Sequence, residues 1–194
     1  GISTPETVDA AVDAGATHIG LVHYEPSPRH VSLEDAAKLR ARVPQSTKVV
    51  LLTVRMQPAE LEAAYRAVRP DVIQFHGNET IEWMAMVRQL LGVETWRAIG
   101  LRERSTLDRA GEFAGKVDRM VFDAPAKALP GGNGVSFQWD LLDGWEPFMP
   151  WALAGGPASI RARASARTRP SGPVRTRGTS PRSWSSHSCT RRTS

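Results

Sequence analysis

The sequence predicts a parallel α/β fold, a (β/α)8 TIM barrel of which this chain carries an incomplete set of strands. Two observations point there. Short apolar runs alternate with helical patterns roughly every 20 to 25 residues, and the runs are apolar on both faces, as strands of a helix-covered parallel sheet must be. Four runs also end in polar or flexible signatures. Leu21-Val22-His23-Tyr24 leads to Ser27-Pro28-Arg29, and Val72-Ile73-Gln74-Phe75 leads to His76-Gly77. Met120-Val121-Phe122 leads to Asp123 and then Gly131-Gly132-Asn133-Gly134, and Trp151-Ala152-Leu153-Ala154 leads to Gly155-Gly156. Barrels place their chemistry just past the carboxyl ends of buried strands. A doubly wound Rossmann sheet, the rival, calls for a glycine-rich fingerprint after its first strand, and none is present.

The elements follow in order. Ser3 or Thr4 is a candidate N-cap, with Pro5 at the first helical position and Glu6 in the first turn. Val8, Ala11, Val12 and Ala14 recur at helical spacing until Gly15. Residues 17–23 read as a strand. Ser32 caps a helix through Arg42, with Glu34 and Asp35 favourably placed at its N-terminal dipole. Strands are predicted over 48–54, 71–75, 94–99, 118–123 and 151–154, and helices over 58–68, 79–91 and 105–114, with a short helix at 138–143.

Charge divides the chain. Nine of its 25 basic residues are arginines of 157–194, where no acidic residue occurs. Residues 1–156 therefore hold the other sixteen against all 20 acidic groups, a formal −4, which gives no reason to expect a polyanionic partner. The tail from Pro157 has no structural period and few large apolar residues, so it is expected to be disordered. A basic arm for nucleic acid is one reading of it. A frame-shifted translation of a GC-rich gene, rich in Arg, Ala, Pro, Ser, Thr and Gly, is the other and is preferred. The domains are thus expected at 1–156 and 157–194. The single cysteine, Cys189, lies in the tail, so no disulfide framework is expected and a reducing, cytoplasmic setting fits. No apolar run approaches the ~20 residues of a membrane span, and no signal peptide opens the chain.

The motifs resemble the phosphoribosylanthranilate isomerase family of tryptophan biosynthesis. Gly20-Leu21-Val22 with Ser27-Pro28-Arg29-His30-Val31-Ser32 resembles that family's second strand and loop, and Asp71-Val72-Ile73-Gln74-Phe75-His76-Gly77 its fourth. Asp123-Ala124 with Gly131-Gly132-Asn133-Gly134, Phe137 and Trp139 resembles its sixth strand and mobile loop, and Leu153-Ala154-Gly155-Gly156 its seventh. The resemblance therefore covers strands two to seven. The family normally opens with a strand ending Lys-Ile-Cys-Gly, whose Cys is the general base, and Gly1 would be that Gly. After Gly155-Gly156 the family continues to an eighth strand and a phosphate loop, where this chain has Pro157 onward. The codons of Arg177-Gly178-Thr179-Ser180-Pro181-Arg182 can be chosen so that the next frame reads Val-Glu-Arg-Ala-Pro-Gly, resembling the family after its phosphate loop. With strands one and eight missing, two sheet edges stay unpaired, and the chain as written is expected to be poorly soluble and inactive.

The resemblance implies an Amadori rearrangement, which opens a ribose ring and moves a proton from C2. It needs an acid at the ring oxygen, a base at C2, a cation for the anthranilate carboxylate and an anion site for the phosphate. Asp123, ending a buried strand, is the expected acid, against a loop-capping role. Arg29, in a loop stiffened by Pro26 and Pro28, is expected to bind the carboxylate rather than form a surface ion pair. His76 is weighed equally as a substrate contact and a hydrogen-bonded core group. Gly155 and Gly156 would let backbone approach the phosphate, and Gly132 and Gly134 belong to a lid. Val135 follows Gly134 where the family often has a Lys. His18 and His23 read as structural, and Trp83, Trp96, Trp139, Trp145 and Trp151 as packing groups. No cofactor and no metal are expected; the partner is a small phosphorylated substrate, with neither nucleic acid nor membrane. Oligomeric state stays open. Two alternatives remain: another phosphate-binding barrel of histidine or tryptophan biosynthesis, and a non-enzymatic nucleic-acid binder acting through the tail.

Overall fold

The computed structural model describes residues 1–123 and 139–154, with the side chain of Trp139 left out. These residues all fall within one compact unit, Gly1–Arg161. Six strands, β1 (His18–His23), β2 (Lys48–Thr53), β3 (Val72–Phe75), β4 (Glu94–Gly100), β5 (Arg119–Asp123) and β6 (Trp151–Ala154), form one sheet. Their spatial order is their sequence order and every pairing is parallel. Helix α1 (Pro5–Asp13) precedes β1, and α2 (Leu33–Arg42), α3 (Pro58–Val68), α4 (Ile81–Leu91) and the short α5 (Ser105–Arg109) stand between consecutive strands.

Local sequence accounts for the helix limits. The Thr4 hydroxyl accepts from Thr7 N at 3.3 Å, Ser32 Oγ from Asp35 N at 3.0 Å and Thr80 Oγ1 from Trp83 N at 3.2 Å. Each satisfies an amide that would otherwise lack a partner in the first turn. Helix α4 stops at Gly92, whose φ of +62° is readily reached only without a side chain. Three predicted helices change, and the strand limits shift by at most one residue. Helix α4 begins at Ile81 rather than 79, because Thr80 is extended and caps the helix, and the Glu79 carboxylate is engaged by backbone amides outside it. The helix predicted over 105–114 is five residues of α-helix followed by a 3-10 turn, Ala110–Phe113. The segment predicted helical at 138–143 is a 3-10 turn, Trp139–Leu142.

Strand side chains alternate between two cores. One face of the sheet meets the helices: Ile19, Leu21, Val49, Leu51, Ile73, Phe75, Met120 and Phe122 are fully or almost fully buried there. Each such side chain stabilises the fold by roughly 1.5–3 kcal/mol. The other face carries Val50, Val72, Trp96, Ala98 and Val121, packed together as a smaller interior cluster that Ala154 joins. Residues from β2 through β6 can share that interior only because the sheet curls, as the strands of an open barrel do. Trp145 packs edge-on against Phe122 and Trp151, and Trp83 joins the helix-facing core.

Candidate functional site

The interior face opens at the carboxyl ends of the strands into a hollow of about 280 Å³. Gly20 and Val22 of β1, Val50 and Leu52 of β2, Gln74 of β3, Asp123 of β5 and Ala154 of β6 line it. Loop residues Arg29 and His76 line it as well. Arg29, His76 and Asp123, widely separated in the chain, thus face one shared space.

Asp123 is the last residue of β5, in register with Gly100 and Ala154, and is almost fully buried. His76 follows β3 directly, and its amide donates to Thr53 O at 3.0 Å. Its Nε2 stands 3.6 Å from Asp123 Oδ2, with both side chains nearly shielded from solvent. Among the described residues, His76 Nδ1 is buried without a hydrogen-bond partner. Burial pushes the imidazole below its ordinary 6.5, against the pull of the Asp123 charge; Arg97 and Arg29 also lower it and Glu79 raises it. The histidine is therefore held mainly neutral near pH 7, able to accept or donate one hydrogen bond.

Arg29 stands on a loop that its own backbone ties down. Tyr24 O accepts from Ser27 N at 2.9 Å, Ser27 O from His30 N at 3.0 Å, and Ser27 Oγ from Arg29 N at 3.2 Å. Tyr24 N donates to His30 Nδ1 at 3.0 Å, and Val31 N to Val22 O at 2.8 Å. The Arg29 guanidinium lines the same hollow as Gly1. Its planar fork suits a carboxylate entering the hollow.

Several lining groups were not singled out from the sequence. Gln74 has an apolar strand around it, yet it precedes His76 by two residues and so shares its face; strand alternation was the available signal. Tyr24 and Ser27 also line the hollow; the sequence placed both at the end of the first apolar run without giving either a role. Gly132, Gly134, Gly155 and Gly156 lie outside the described residues. His18 and His23 sit away from the hollow: His18 packs against Trp96 with ring centres 5.3 Å apart, and His23 Nδ1 bonds Val31 O at 2.8 Å. Among the described residues, no group of three or more His, Cys, Asp or Glu is placed to hold a metal ion. No described helix is long and apolar enough to cross a membrane.

The model of the N-(5'-phosphoribosyl)anthranilate isomerase family matches residues 1–168. The N-(5'-phosphoribosyl)anthranilate isomerase of Erythrobacter litoralis is 60% identical over 156 residues, covering 80% of this chain and 75% of that protein. The same enzyme of Rhodospirillum centenum is 46% identical over 160 residues, with the same shares covered. Among solved structures, phosphoribosyl anthranilate isomerase from Thermotoga maritima superposes with a TM-score of 0.69 at 25% identity, covering 80% of this chain and 74% of the other. A match across most of the chain, together with relatives this similar, places the protein in the N-(5'-phosphoribosyl)anthranilate isomerase family.

Proposed function

We propose that the protein is an aldose–ketose isomerase that converts N-(5-phosphoribosyl)anthranilate to 1-(2-carboxyphenylamino)-1-deoxyribulose 5-phosphate in the cytoplasmic synthesis of tryptophan. The observation that carries this reading is the convergence of Arg29, His76 and Asp123 on one hollow at the carboxyl ends of the strands. Asp123 is the acid: its carboxyl gives a proton to the ribose ring oxygen as the C1–O bond breaks, and the aryl nitrogen supplies the electron pair that becomes the C1=N bond. Removal of the C2 proton then returns electrons to that nitrogen as an enolamine, and tautomerisation leaves the ketone at C2. In the family the resemblance points to, the C2 base is the Cys of a Lys-Ile-Cys-Gly strand that this sequence does not contain; Gly1, which stands where that Gly would, lines the hollow. Arg29 pairs with the anthranilate carboxylate, and neutral His76 hydrogen-bonds substrate beside Asp123.

The barrel is of the (β/α)8 type, and the backbone at Gly155 and Gly156 is assigned to the phosphate, with Gly132 and Gly134 in a closing lid; these assignments rest on the sequence resemblance. The fitting test is a titration of the 194-residue chain with the aminoketose product, followed by calorimetry. Saturable binding is expected, weakened more than tenfold in Arg29→Ala. An absence of saturable binding by the unaltered chain would sink the reading.

A further inference from the structure

Behind the hollow, on the helix-facing side of the sheet, lies a buried ion pair that the chemistry above does not use. Glu79 and Arg97 approach to 3.1 Å, with side chains 3% and 11% exposed. Taking two charges out of water costs several kcal/mol per ion unless each is well partnered, so such a pair is a poor device for stability alone. What it holds is one short stretch of backbone. Glu79 Oε2 accepts from Gly77 N at 3.0 Å, Glu79 Oε1 from Arg55 N at 2.6 Å, and Arg97 Nη1 donates to Gly77 O at 2.7 Å. Both polar groups of the Gly77 backbone are therefore taken by the pair. A Cβ on Gly77 would stand 2.8 Å from both Glu79 Oε1 and Arg55 Cγ, so the grip requires glycine there.

His76 immediately precedes this point. Its imidazole has little else to orient it: Nδ1 has no hydrogen-bond partner among the described residues, and Nε2 is 3.6 Å from Asp123, beyond hydrogen-bond reach. We propose that the Glu79–Arg97 pair is a positioning device for His76, clamping Gly77 from behind the sheet so that the imidazole stays directed at Asp123 across the hollow. The inference deepens the isomerase reading and rests on it for the substrate contact of His76.

The charged groups acting on His76 are Asp123 from β5, Arg97 from β4, Glu79 from the turn after β3 and Arg29 from the loop after β1. A cycle in the full chain separates positioning from simple charge. The His76 ring resonances are titrated by NMR with Asp123 intact and in Asp123→Asn, first with the native clamp and then with Glu79→Gln and Arg97→Met together, which removes both charges at once. With the clamp intact, Asp123→Asn lowers the His76 midpoint; without it, that shift is expected to fall to about half or less, because the ring is no longer held beside Asp123. Affinity for the aminoketose product is expected to drop on the order of tenfold, since small misplacements of a binding group are costly. An equal Asp123→Asn shift in both backgrounds overturns the proposal. If the double variant does not fold, E79Q, which keeps the side-chain shape, enters the same cycle and is read in the same way. Failure of the unaltered chain to bind product would remove the isomerase reading, while the NMR cycle would still decide whether the clamp exists.

Discussion

At the amino ends of the strands the carboxylates of Asp71, Glu94 and Asp118 each meet a cation, whereas at the carboxyl ends Asp123 lines a cavity. Asp71 and Asp118 each precede a strand and repeat one device. Their carboxylates accept from Val49 N at 2.8 Å and Thr95 N at 2.9 Å, and pair with Arg40 at 3.3 Å and Arg88 at 2.8 Å. Glu94, on the interior face, takes Lys48 Nζ and Trp96 Nε1, both at 2.7 Å, with Arg119 at 3.9 Å and stacked over the Trp96 ring. Burial pushes Glu94 up, but hydrogen bonds from Lys48 and Trp96 and the charges of Lys48 and Arg119 outweigh it and hold the carboxyl below its ordinary value. The lesson is that one curled sheet places like groups at both ends, and the surroundings divide their work. A carboxylate saturated by cations ties strands together; one facing a shielded hollow beside a neutral imidazole can exchange a proton.

The sharpest way to break this division is Asp123→Asn. In a chain to which the family's opening Lys-Ile-Cys strand and eighth strand are restored, it is expected to lower kcat about 10²- to 10⁴-fold with little change in KM, the loss of a general acid, measured by consumption of the aminoaldose. A variant that kept its turnover would put Asp123 with the structural carboxylates. Arg29→Ala comes next: loss of a charged hydrogen bond should weaken product binding roughly 10- to 100-fold, seen by calorimetry, while the urea unfolding midpoint hardly moves.

Glu94→Ala should do the reverse. It leaves the buried Trp96 indole N–H without its acceptor and is expected to cost about 1–2 kcal/mol of stability in urea, with product affinity intact. Lost affinity with unchanged stability would erase the contrast between the rims. The smallest effect is on pH. His76 and His18 both have folded values below 6.5, so the unfolded chain binds protons first, and stability present above pH 6.5 is lost as pH falls through the folded values. Glu94 and Asp118 are likewise depressed, from 4.5 and 3.8, so their contribution persists until the solution is more acidic still. Denaturant melts between pH 7 and 5 should therefore flatten in His76→Gln and separately in His18→Gln, but not in Glu94→Gln, whose effect belongs below pH 4.5.

Much of the fold was legible because its signals are local. Thr4, Ser32 and Gly92 mark helix limits by bonds or dihedrals within a few residues, and the doubly apolar runs identify strands of a covered sheet. Asp123 and His76 were legible as site candidates because each directly ends an apolar run. The start of α4 also has a local mark, the Thr80 cap, but where the Glu79 carboxylate goes was not legible, since that is decided by Arg55 and Arg97 from neighbouring segments. Nor did Gln74 stand out, because a polar residue in an apolar run gains meaning only when its face is known to border a cavity.

By itself, the sequence determined the alternation of strand and helix, the caps, and which reactive side chains end a strand, since each is written in spacing over one or two turns. Tertiary structure alone decided which of those ends share a hollow and which charges meet. Lys48 reaches Glu94 across 46 positions and Arg97 reaches Glu79 across 18. Such pairs depend on the curl and register of parallel strands, and these arise from packing summed over the whole sheet rather than from any single stretch of chain.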